Sequence, residues 1–136
     1  MELKLTKKQY RRLLDMVYIG NWVLNSTRGG DRFTDYDEVE SLLFGQAAAQ
    51  GMPSLAAQGK KEMVPSRAFI EGGIHDAILD YENTMFFEIL AEELARRDME
   101  EEEIDPESYE ELANRIDAYI LEFEQHGMDN ILFEEL

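Results

Sequence analysis

The residues of this chain best equipped for chemistry are its two histidines and its 30 acids. Glu71 with His75, and Glu122 with His126, sit four positions apart, the spacing that brings two side chains onto one face of a helix. A carboxylate-bridged di-metal bundle needs Glu-x-x-His on two helices and two further glutamates, and the chain contains no Glu-x-x-His. Gly72 and Gly73 weaken a helix through the first pair, and His126 reads more simply as a cation or cap at a helix end. No metal ligand is expected.

Cysteine is absent, which removes thiol nucleophiles, disulfides and cysteine-ligated metal centres. No G-x-S-x-G nucleophile elbow occurs. With so many acids, carboxylates fall near one another in any fold, so an acid–base pair would be marked only by burial and a raised pKa. The chain therefore reads as a non-enzyme with no catalytic or cofactor-binding residue and no cofactor.

Two loops invite a phosphate reading. Asn25 to Phe33 places Gly29 and Gly30 between Arg28 and Arg32, where backbone N–H groups could cradle an anion; without a glycine-rich phosphate motif, an ordinary connection is favoured. SLAAQGKK, beginning at Ser54, lacks the first glycine and the hydroxyl residue of a phosphate-binding loop. Asp31, Asp35, Asp37 and Glu38 do not have EF-hand spacing and read as acids at a helix start.

Charge distribution is more informative. Residues 1–67 carry ten Lys or Arg against eight acids, whereas residues 68–136 carry three against 22, or about +2 and −19. So acidic a half should repel nucleic acid and anionic lipid and attract basic partners, at rates that fall with salt. Glu88, Glu92, Glu100, Glu101, Glu102, Glu103, Glu107 and Glu110 form the candidate acidic interaction face. Lys7, Lys8, Arg11 and Arg12 form a candidate basic patch at the start of a helix, the wrong end for cations by the dipole argument.

The elements that must position these groups are helical. Thr6 and Gln9 have capping-box spacing, and the apolar periodicity predicts helices over about 7 to 24, 35 to 50, 73 to 82, 84 to 98 and 106 to 125. Thr34 and Thr84 read as N-caps, Asp105-Pro106 as a helix start, and His126-Gly127 as a C-cap. Residues 51 to 66 form the longest irregular stretch. The last seven residues read either as a helical turn or as a strand pairing with the N-terminus.

The expectation is one all-α domain over 1–136, an irregular bundle of four to five helices with a possible short strand pair at the termini. Leu13, Val17, Leu42, Ile78, Phe87, Leu90, Leu94, Leu112, Ile116 and Ile120 should belong to its core. No apolar signal core or membrane-length stretch occurs, so a cytoplasmic location without membrane contact is expected.

The leading functional reading is a small, acidic, non-catalytic interaction or regulatory protein that offers its C-terminal helices to a basic protein surface, such as that of a nucleic-acid-binding protein, without touching nucleic acid directly. One alternative is imitation of a nucleic-acid backbone, which needs carboxylates spaced like phosphates. A small enzyme or metal-carboxylate protein is a further alternative. Homo-oligomerisation, the basic first helix docking on a neighbour's acidic hairpin, follows from the same charges.

Overall fold

The computed structural model describes residues 1–100 and 105–136. The chain is all-α in class, with one short two-stranded sheet. It divides into two compact units, Met1–Ile78 and Leu79–Leu136.

In the first unit, Thr6 opens α1 (Lys7–Asn25) with the expected reciprocal capping box to Gln9. The buried stripe of α1 runs through Tyr10, Leu14, Tyr18, Asn21 and Asn25. Leu13 and Val17, expected in the core, are only half-buried. The stripe is rotated because its lower half is made of asparagines, which hydrophobic periodicity does not register.

Helix α2 (Thr34–Phe44) follows, with Phe33 at the cap position and no side-chain cap, so Thr34 is the first helical residue. Phe44 and Ala47 are fully buried, but Leu42 is 67% exposed and leaves the expected core. The helix ends before Gly45 instead of reaching residue 50, although the Ala-rich continuation has high helix propensity. Turns that bury Ala47 replace it, with the Met52 N–H donating to the Ala47 carbonyl at 2.8 Å.

Residues 51–66 are structured. A 3₁₀ turn (Pro53–Leu55) leads into β1 (Ala56–Gln58), which pairs antiparallel with β2 (Met63–Pro65), Ala57 opposite Val64. Gly59 is required at this hairpin: a Cβ there would lie 2.7 Å from the Glu62 carbonyl oxygen. The strand pair thus lies here and not at the termini. At the C-terminus, local turns occupy the backbone donors, Asp129 N–H to His126 and Ile131 N–H to Met128.

Ser66 caps the short helix α3 (Arg67–Phe69), and a π-type turn (Ile70–Ile74) carries the chain into α4 (His75–Met99). The break in this region is at Gly73, with φ 111°, a left-handed value natural only to glycine. The expected junction at Asn83–Thr84 is continuous helix, in which the Thr84 hydroxyl donates back to the Asp80 carbonyl at 3.0 Å and caps nothing. Tyr10, Leu14, Tyr18, Phe44, Phe69 and Ile78 form the core of the first unit.

The second unit holds the rest of α4 and α5 (Tyr109–His126). Asp105 makes the expected capping bond to the Ser108 N–H at 2.9 Å, but Pro106–Ser108 remain a turn and the helix starts at Tyr109. Gly127, with φ 56°, closes α5 as a C-cap. Phe87 meets Phe123 and Asp98 meets Tyr119, an order that makes the two helices antiparallel. Ala91, Ala95, Leu112 and Phe123 are buried, while Phe87, Leu90, Leu94, Ile116 and Ile120 are half-buried. The buried positions on α4 are small residues, which a search for bulky apolar side chains passes over.

Candidate functional site

The unit boundary is also an electrostatic one. Residues 1–78 carry ten Lys or Arg and ten acids, and residues 79–136 carry three and twenty, so the whole net charge of −17 resides in the second unit. Its three arginines are committed locally: Arg96 to Glu92 at 2.9 Å, Arg97 to Asp98 at 2.9 Å and Arg115 to Glu111 at 2.8 Å. Tyr119 and Arg97 also bond Asp98 and hold its carboxyl below the usual range.

The candidate acidic face is not one surface. Glu88 lies on the rim of a groove between α4 and α5, a 290 Å³ cavity lined by Asn83, Thr84, Phe87, Ile120, Phe123 and, on the opposite rim, Glu124. Glu92 is taken by Arg96. Glu107 and Glu110 share a separate shallow depression with Glu111 and Arg115. Glu100 is exposed at the turn after α4, in left-handed backbone with φ 53°; Glu101, Glu102 and Glu103 lie outside the described residues.

The groove is the more specific feature. Its floor is aromatic and aliphatic, with Phe87 and Phe123 ring centroids 5.2 Å apart, and its rims are carboxylates without a cation partner among the described residues. Such a site suits a side chain that is apolar along its stem and cationic at its head. Glu124 was missed in the sequence because nothing local marks it: the helix pairing alone brings it opposite Glu88.

The candidate basic patch is divided as well. Arg11 turns inward, its guanidinium 4.9 Å from the Phe69 ring centroid and 2.6 Å from Asp15, while Arg12 reaches the same carboxylate at 3.2 Å. Lys7 extends over the Gly51 turn. Lys8 and Arg12 border a 390 Å³ apolar groove formed with Leu3, Leu5, Leu13 and Met16.

Around the loop from Asn25 to Phe33, both arginines are engaged by acids. Arg28 pairs with Asp31, and Arg32 makes a bidentate pair with Asp37 at 2.7 and 2.9 Å, which holds the Asp37 carboxyl below its usual range. The loop is an interhelical connection. Glu71 pairs with Arg67 rather than with His75, whose Nε2 shares a 2.6 Å hydrogen bond with the Tyr18 hydroxyl. His126 does pair with Glu122, at 3.0 Å. Among the described residues no three His, Asp or Glu side chains converge as a metal site, and no helix is long and apolar enough to cross a membrane. Comparison with protein-family models, with curated proteins and with solved structures finds no match.

Proposed function

We propose that this is a non-catalytic, cytoplasmic interaction protein that holds a basic segment of a partner protein in the groove between Glu88 and Glu124. The observation that carries this reading is the aromatic floor set between two uncompensated carboxylates, in a unit that contains the entire net charge. The floor takes the aliphatic stem of an arginine or lysine, or a neighbouring leucine, and the rims take the cation. The surrounding acids raise the rate of encounter more than the final affinity.

A synthetic helical peptide of arginine and leucine, titrated calorimetrically, tests it. The double variant Glu88→Lys, Glu124→Lys should weaken binding at least about tenfold, whereas Glu107→Lys, Glu110→Lys, the same change in charge, should cost only about two- to threefold. Equal losses would assign binding to bulk charge and favour nucleic-acid mimicry instead. No binding even in low salt would sink both readings.

A second reading, self-association, is favoured by the apolar groove bordered by Lys8 and Arg12. An acidic, apolar segment of a second copy complements it in charge and in polarity. Sedimentation should then show a dimer that Lys8→Glu, Arg12→Glu converts to monomer; a monomeric wild type rules it out.

A further inference from the structure

A third cavity lies wholly within the first unit and belongs to neither groove. The C-terminal half of α1 contributes Tyr18, Asn21 and Trp22, its C-cap Ser26 follows, and Glu40 of α2 and Arg32 of the connecting loop complete a 160 Å³ pocket. Drug-sized ligands occupy about 300–1,000 Å³. This pocket has room for one functional group and not for a nucleotide or a peptide chain.

Its charges are unequal. Two nitrogens of Arg32 bind the Asp37 carboxylate, and the Asn21 amide donates to the same group at 3.0 Å, so that acid and that base cancel. Glu40 remains. It is half-buried, and among the described residues no cation lies within ion-pair distance of it. The groups that bear on it are Asn21 and Tyr18 of α1, Asp37 of its own helix, Arg32 of the loop and Glu62 of the hairpin turn. Burial drives its carboxyl above the usual range, with the Asn21 amide acting in the opposite sense. A carboxylate so placed is stabilised by any cation that enters.

Of the remaining lining residues, Ser26 is polar and Tyr18 and Trp22 are aromatic. Trp22 and Tyr18 flank the pocket, each in edge contact with His75, and the Tyr18–His75 hydrogen bond fixes the phenol. Burial raises the Tyr18 pKa, so the phenol stays neutral and contributes a wall and not a second charge. Aromatic rings beside a carboxylate are the chemistry that selects organic ammonium ions, tryptophan being the strongest partner. We infer that the pocket formed by Tyr18, Trp22 and Glu40 is a binding site for a small organic ammonium ion, with Glu40 as its counter-ion.

Trp22 is the only tryptophan in the chain, so its emission reports on this pocket without labelling. The intact protein is titrated with methylammonium and tetramethylammonium chloride, at constant ionic strength and at a fixed pH above the ordinary imidazole range. A saturable change in Trp22 emission is expected with at least one of them and none with sodium chloride or sodium acetate. Glu40→Gln should weaken it at least about tenfold, while Glu38→Gln, on the exposed side of the same helix, should leave it unchanged. Should the Gln variant fail to fold by circular dichroism, Glu40→Asp decides, with weakened but measurable binding. A non-saturable response, an equal response to sodium salts, or wild-type affinity without the Glu40 carboxylate would overturn the proposal.

Discussion

Phe69→Ala should lower the unfolding free energy of the first unit by about 3–5 kcal/mol, the range for truncating a buried phenylalanine. Phe69 is 1% exposed and is the hub of the core. Its ring meets Phe44 edge-on at 4.9 Å and Tyr18 at 5.3 Å, and the Arg11 guanidinium lies 4.9 Å from its centroid. Each aromatic pair contributes about 0.5–1.5 kcal/mol beyond burial, and a partly exposed cation–π contact about 0.5–1 kcal/mol. Helix α3 has only three residues, so its position depends on this side chain and on the Ser66 cap. Urea unfolding followed by Trp22 emission measures the loss. Phe69→Leu, which retains most of the volume, should recover more than half of it. A loss below about 1.5 kcal/mol would mean that α3 does not anchor the unit.

Asn25→Ala should be the most damaging polar substitution, at about 2–3 kcal/mol. Asn25 is 1% exposed; its Oδ1 accepts from the Phe33 N–H at 2.8 Å, and its Nδ2 donates to the Phe33 carbonyl at 3.0 Å and to Asn21 Oδ1 at 2.6 Å. Truncation leaves the Phe33 N–H and the Asn21 Oδ1 without their partner, each worth about 1–3 kcal/mol when shut away from water, and leaves the Phe33 carbonyl only the Tyr36 N–H at 3.3 Å. Phe33 is partly solvated, which keeps the total below the sum. Hydrogen exchange at the Phe33 amide should accelerate to loop-like rates. Asn25→Asp should preserve that amide's acceptor yet destabilise the protein at neutral pH, because a carboxylate would face the Phe33 carbonyl and the Asn21 oxygen; acid should restore part of the loss. An unchanged Phe33 exchange rate in Asn25→Ala would show that the clamp holds nothing.

What could be read from the chain was short-range. The Thr6–Gln9 box, the Asp105 bond to the Ser108 N–H and the Gly127 C-cap each close within three or four residues, so the atoms concerned are neighbours whatever the rest of the molecule does. The acidic second half was legible for the same reason, since charge adds along a sequence without regard to fold. Leu42 was misplaced because its helix buries Phe44, and that choice belongs to Phe69 and Tyr18, far away in the chain. Asn21 and Asn25 were passed over because buried asparagine is as polar in sequence as exposed asparagine. Only its hydrogen-bond partners tell the two apart.

The candidate sites divide in the same way. The abundance of glutamate pointed to a basic partner, but the pairing of α4 with α5 decides that Glu88 and Glu124 face each other across an aromatic floor while Glu92 is neutralised by Arg96. Tyr18 and His75 are 57 positions apart, and no periodicity links them. The sequence by itself determined helical class, the capped start of α1, the Gly127 end of α5 and the segregation of charge, because these depend on backbone propensity, local hydrogen bonds and composition. Only the tertiary structure decided which faces are buried and which charges stay uncompensated, because burial and ion pairing are set by distances between residues that the chain order leaves far apart.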